Sequence, residues 1–297
     1  MPEDIETIET PPSLPPRGAD AHKGDFGRVL VVGGSRGMPG AVALAANAAF
    51  RGGAGLVTFA APERVQLTIA GLCPCATSAP LACDGDGQLA SRAVDQMVHL
   101  AGAADVLAVG PGLGVGSVQQ DLVRAALEQM RPVVLDADGL NNLAALGQWW
   151  TMRRCPLVLT PHPGEFARLT DTPVAEIQAD RKAAAVLAVQ QWSRGDENLP
   201  PVVCVLKGAG TVVTDGGRAF INRTGNPGMA VGGSGDVLTG LTGALIGQGL
   251  APFDAACMAA DRHGRAGDLA AENLGQTSLM ASDLLEFLPE AMKEAES

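Results

Sequence analysis

The chain has 297 residues, with 21 Lys and Arg against 32 Asp and Glu, for a formal net charge of −11. That excess of acid argues against a nucleic-acid or anionic membrane surface as partner, because phosphate-rich surfaces are met by basic patches. Gly (38) and Pro (20) stay below the level of low-complexity disorder, and 46% hydrophobic residues suffice for a large core.

Residues 1–22 carry acids and a proline-rich stretch from Pro11 to Pro16 with little periodicity. They are expected to form a loosely ordered arm before one domain over 23–297. No apolar run reaches the roughly 20 residues of a membrane span, and the first residues lack a basic-then-apolar leader pattern. A cytoplasmic location is therefore expected. Six cysteines (Cys73, Cys75, Cys83, Cys155, Cys204, Cys257) show no metal or redox spacing and read as buried free thiols.

From Arg28 the texture changes. RVLVVGG is a short β-branched run closed by glycine, as a strand buried on both faces requires. Similar runs recur at 56–62 (LVTFAAP), 105–112 (DVLAVGPG), 132–139 (PVVLDADG), 156–164 (PLVLTPHPG) and 201–208 (PVVCVLKG). Helical spacing fills the gaps at Ala41 to Arg51, Gln119 to Met130 and Pro173 to Arg194. The alternation predicts an α/β domain with a mostly parallel sheet. GTVVTDGGRAFIN then reads as an antiparallel hairpin at the sheet edge, and beyond Gly235 the chain is largely helical.

Residues 222–249 are the densest unusual segment, with nine glycines between Gly225 and Gly249. A loop of this kind feeding a helix start leaves unpaired N–H groups pointing one way, which suits a phosphate or a developing oxyanion. Asp236 sits at the first turn of that helix. A plain cap is one reading of it; the glycines favour a reacting carboxylate.

Other candidates stand at strand ends, where ligands of open parallel sheets bind. They are Gly110 to Gly114, then Asp136, Asp138 and Asn141, then His162 and Glu165, and finally Lys207, Gly208, Ala209, Gly210 and Thr211. Tight turns, helix caps or a solvated edge charge explain each taken singly, and the acids equally suit magnesium, directly or through water. Spacing does not choose among these. VVGGSRGMPG fails the dinucleotide fingerprint, lacking both the glycine register and an acid about 20 residues on. What it offers is close backbone approach around Gly40 and Ala41.

Taken in order, HKGDFGRVLVVGGS, MPGAVALAANAAFRGGAGLV, GPGLG, VLDADGLN, LTPHPGEFARL, VLKGAGTVV and GNPGMAVGGSGDVLTG resemble the ADP-dependent NAD(P)H-hydrate dehydratases, from about His22 to Leu288. The resemblance implies a ribokinase-like three-layer α/β/α fold and removal of water from the S epimer of NADH or NADPH hydrate. ADP would become AMP and phosphate, with magnesium, in a homo-oligomer, commonly a tetramer. Carried over by motif, Ala41, Gly112, His162 and Asp236 would contact the hydrated dinucleotide. Lys207 to Thr211 and Gly235 would hold the adenine nucleotide, with Asp236 catalytic. Only about 22 residues precede the match, so the epimerase activity fused to many family members is expected to be absent. A vitamin or sugar kinase of the same fold using ATP, or a nucleotide-binding regulator without turnover, are the competing readings.

Overall fold

The computed structural model describes residues 5–194 and 199–294. Residues 1–4 of the expected arm, and 195–198 and 295–297 of the expected domain, lie outside these. In chain order the first elements are β1 (Glu6–Ile8), β2 (Arg28–Val32), α1 (Pro39–Arg51), β3 (Leu56–Pro62), α2 (Glu63–Leu72), β4 (Thr77–Leu81) and α3 (Arg92–Ala101). Then come β5 (Val106–Val109), α4 (Ser117–Leu127), β6 (Val133–Leu135), α5 (Asp138–Ala145), β7 (Leu157–Leu159), α6 (Pro163–Thr170), α7 (Val174–Ala179) and α8 (Arg181–Trp192). The last are β8 (Val202–Leu206), β9 (Val212–Thr214), β10 (Arg218–Ile221), α9 (Ser234–Gly247), α10 (Pro252–Leu274) and α11 (Ala281–Lys293).

The strands form one sheet in the order β1-β10-β9-β8-β7-β6-β5-β2-β3-β4. Among the described residues only β9 runs against the rest, since it pairs antiparallel with both β8 and β10. Strand residues alternate between two cores, as a period of two demands. Val29, Val31, Val106, Ala108, Val134 and Val158 face α1, α9, α10 and α11. Leu30, Val32, Leu107, Val109, Leu135 and Leu159 face α3, α4, α5, α6 and α8. Helices therefore cover both faces of a mostly parallel sheet, the three-layer α/β/α arrangement anticipated above.

Several local expectations need correction. Glu6–Ile8 is not loose: it pairs parallel with Arg218 to Phe220 and so covers the hairpin, which is second from the edge. The Pro173 to Arg194 stretch splits at Asp180, whose extended backbone (φ −151°) lets its side chain cap α8 through Ala183 N–H. Cys75 is exposed and Cys83 half-buried, while the other four cysteines are buried. In Cys204 and Cys155 burial pushes the thiols well up, the latter to about 12, so they act as small apolar groups.

Candidate active site

Strands β2, β5, β6, β7 and β8 are parallel neighbours, so their carboxyl ends open on one crevice. Helix α9 runs antiparallel to them beneath the sheet. A Cβ built on Gly247 would lie 3.6 Å from Val106 near the strand starts, whereas one on Gly235 would lie 3.4 Å from Asp136 Oδ2 at a strand end. The amino end of α9 is thereby delivered to the crevice. No side chain caps it, and Gly233 enters it at φ +96°, a conformation that suits glycine.

At the centre lies Asp136, whose side chain is 1% exposed. It accepts from Lys207 Nζ at 2.7 Å and from Thr239 Oγ1 at 2.8 Å. Burial alone would raise its pKa, but Lys207 and the hydroxyls of Thr239 and Thr160 hold it below the usual carboxylate range. Lys207 also lies 3.8 Å from Glu165 Oε2, and the surrounding carboxylates keep its ammonium charged against the desolvation that would lower it. Asp236 occupies the third position of α9. Burial first, then the Asp136 charge, push its carboxyl up to about 7 against the pull of Lys207. A carboxylate at that pKa is matched to accepting a proton near neutrality.

The neighbouring loops are tied to this centre. Asp138 Oδ2 accepts from Gly114 N at 2.9 Å, and Asn142 Nδ2 donates to Gly114 O at 2.9 Å, so α5 anchors the Gly110 to Gly114 loop. Gly110, at φ +127°, passes Asp136 so closely that a Cβ would sit 1.9 Å from its carbonyl oxygen. Between the two acids Ala137 holds φ 50°, ψ −119°, closed by Gly139 N to Asp136 O at 2.8 Å. That is a glycine-type turn occupied by alanine, a strained conformation of the kind found at functional sites.

His162 caps α6: its Nδ1 accepts from Gly164 N at 3.0 Å and Glu165 N at 3.3 Å, while Glu165 returns the bond to His162 N at 2.8 Å. With Nδ1 an acceptor, the ring's donor is Nε2, which lies 3.5 Å from Glu165 Oε1. Ala41 and Gly112 meet each other, since a Cβ on Gly112 would lie 3.2 Å from Ala41 Cβ. Gly235 lies against Lys207, whose Nζ would be 3.1 Å from an added Cβ. The structure thus joins Asp236, Gly235, Lys207, Asp136 and Glu165 in one cluster, with Ala41 in the first turn of α1 against Gly112 of the adjoining loop and the 208–211 loop leaving from Lys207.

Two contributions were not legible in the sequence. His263 on α10 is buried and donates from Nε2 to Ser234 O at 2.9 Å, and burial lowers its pKa to about 4, so it stays neutral. On the same helix Asp268 accepts from Gly225 N and Asn226 Nδ2, and Gly264 and Gly267 make room for Thr224 and Met229. One face of α10 therefore buttresses the whole loop before α9. Its histidine, acid and two glycines at helical spacing were the available signal.

A crevice at the strand ends of a mostly parallel sheet, with an uncapped helix start beside a carboxylate, belongs to a ribokinase-like α/β fold. A ribokinase-like superfamily protein from Enterococcus faecalis superposes with a TM-score of 0.79 at 24% identity, covering 96% of this chain and 93% of that one, a likeness of fold. The family model described as NAD(P)H-hydrate dehydratase matches residues 29–290. The chain belongs to this family. It is 47% identical over 285 residues to the bifunctional NAD(P)H-hydrate repair enzyme Nnr of Moorella thermoacetica, covering 95% of this chain and 52% of that protein. It thus spans about half the length of the curated relatives it matches. The ADP/ATP-dependent NAD(P)H-hydrate dehydratase of Bacillus subtilis, co-crystallised with ATP and Mg2+, superposes with a TM-score of 0.81 at 32% identity over 96% of this chain and 95% of that one.

Proposed function

We propose that this crevice removes water from the S epimer of NADH or NADPH hydrate at the expense of ADP, releasing AMP and phosphate. The carrying observation is Asp236, raised to about 7 beside the open start of α9. Hydroxide is a poor leaving group. Transfer of the terminal phosphoryl of ADP to the C6 hydroxyl forms an O–P bond, breaks the bond to AMP and turns the hydroxyl into phosphate. Asp236 accepts the hydroxyl proton, and the amides at the start of α9 stabilise charge on the migrating group. The ring nitrogen's electron pair then expels phosphate, and loss of the C5 proton to the departing phosphate restores the double bond.

Ala41, Gly112 and the Nε2 donor of His162 are read as dinucleotide contacts. Lys207 to Thr211 and Gly235 are read as nucleotide contacts, with residues 23–297 acting as one domain. Lys207, committed to Asp136 and Glu165, supplies field rather than a free ammonium. Among the described residues no three metal-ligating side chains converge, so the donor set suits a magnesium held chiefly by phosphate oxygens and water, with the crevice acids as its acceptors. When bound, it would neutralise phosphate charge that these acids otherwise repel. Among the described residues no helix is long and apolar enough to cross a membrane. The resemblance further implies a cytoplasmic homotetramer, read out by fractionation and sedimentation.

The test supplies purified chain with NADH hydrate and either ADP or ATP. Recovery of reduced-nicotinamide absorbance, with one AMP per NADH in the ADP arm, is the expected result. ATP-dependent phosphorylation of a vitamin or sugar with no recovery from the hydrate would replace this reading by the kinase one.

A further inference from the structure

Between β8 and β9 the residues 207–211 form a short loop with Gly208 at φ +141° and Gly210 at φ +64°. Beneath it lies Arg181, the first residue of α8. Its guanidinium donates from Nη2 to Leu206 O at 2.6 Å, and from Nη1 to Gly210 O at 3.2 Å and to Ala209 O. Thr211 Oγ1 donates to Gly208 O at 3.0 Å. Arg181 thus binds the carbonyls of Ala209 and Gly210, while that of Gly208 is bound by the loop's own Thr211. Because the C=O and N–H of one trans peptide unit point in opposite directions, the N–H groups of Gly210 and Thr211 face away from Arg181. Residues 208–210 are exposed, so these donors stand at the surface. Successive outward amides form an anion-binding concavity.

The charge beneath that concavity is unusual. Among the described residues all of Arg181's hydrogen bonds are to carbonyl oxygens, and its buried Nε has no partner there. Desolvation lowers its pKa and no carboxylate raises it again. Elsewhere in the crevice Asp136 is answered by Lys207 and Asp138 by Gly114 N. This partly buried guanidinium is answered by carbonyl dipoles alone among the described residues, and a phosphate arriving on the far side of the loop would add the formal counter-charge it lacks.

We propose that Arg181 is a positioning residue for the nucleotide's diphosphate: it holds the Ala209 and Gly210 carbonyls on its own side, so that the amides of Gly210 and Thr211 face outward, and it places a positive charge behind them. The proposal rests on the reading of this loop as the nucleotide site. Its chemistry recognises phosphate attached to the nucleoside, not the base or sugar.

The test measures ADP and adenosine affinities calorimetrically for the wild-type chain and for Arg181→Gln, Arg181→Lys and Gly210→Val, alongside thermal melting. Arg181→Gln is expected to weaken ADP by about tenfold, as for loss of hydrogen bonds from a charged group, while adenosine changes far less. Arg181→Lys keeps the charge without the planar fork and should fall between. A loosened fold would weaken both ligands alike and move the melting point, and would count against the proposal. If Arg181→Gln does not fold, Arg181→Lys decides: selective loss of ADP supports the proposal, and wild-type affinity overturns it. ADP binding retained in Arg181→Gln but lost in Gly210→Val overturns the role of Arg181 alone. ADP binding retained in both overturns the loop's assignment and the proposal with it.

Discussion

Within the glycine-rich segment 222–249 two sets of glycines serve opposite ends, Gly232 and Gly235 at the crevice and Gly240 and Gly243 in the α1–α9 packing. In the first set, Gly232 has nothing within 4 Å of an added Cβ, and Gly235 borders Lys207 and Asp136. In the second set, a Cβ on Gly240 would lie 1.9 Å from Ala45 O, and Gly243 lies against Val29. The first set opens backbone to a ligand, and the second lets α9 lie against α1 and the sheet. Glycine density by itself therefore does not measure a site. The seam matters to the site all the same, because it aims the amino end of α9 at the strand ends.

Substitutions along the segment separate these roles. The largest effect is expected at Asp236: Asp236→Asn should lower kcat by about 10²–10⁴-fold, the range of a lost general base, with ADP affinity retained. In the wild type kcat should rise with pH through about 7, as the carboxylate ionises. The same shift predicts a stability change of known sign. The folded carboxyl's pKa is raised from 3.8, so its contribution is fully present below that pH and is lost as pH rises through about 7. Asp236→Asn should thus match the wild type near pH 4 and exceed it by about 2 kcal/mol above pH 7. Three full pKa units would correspond to about 4 kcal/mol, and solvent at this half-buried group reduces it. A pH-independent difference in melting temperature would remove the environment argued for Asp236.

Next in size is Gly240→Ala, where a methyl meets backbone. Overpacking should cost about 3 kcal/mol, read by denaturant titration, and near-native stability would mean that α1 and α9 are not locked together. His263→Phe removes the donor to Ser234 O. A loss of about 2 kcal/mol is expected for the unpaired carbonyl, with kcat falling as the loop before Asp236 loosens, and an unaffected kcat would detach α10 from the site. Gly232→Ala should stay within about 0.5 kcal/mol of wild-type stability. A large loss there would show that the loop is packed at Gly232 as it is at Gly228.

The strands that build the crevice were legible because β-branched runs ending in Gly, Pro or a polar residue repeat between helical stretches. β4 and β1 were not: TSAPL contains proline and is half-exposed, and ETI lies in a polar stretch whose partner strand is far along the chain, with Glu6 opposite Arg218. Asp236, Lys207, His162 and the 110–114 loop stood out as polar or glycine-rich interruptions after apolar runs. What they do to one another was hidden, since the Lys207–Asp136 pair and the Glu165 cap of His162 are made by chain-distant packing and side-chain reach. Arg181 and His263 were invisible for the same reason: each begins or interrupts an ordinary helical pattern, and only the folded loops supply their partners.

The central claim is that a phosphoryl group passes to the substrate hydroxyl beside Asp236 before water is lost. Turnover of NADH hydrate carrying oxygen-18 in its C6 hydroxyl, with unlabelled ADP, tests it most directly. The label is expected in the released phosphate. Label recovered in water, with unlabelled phosphate, would contradict it.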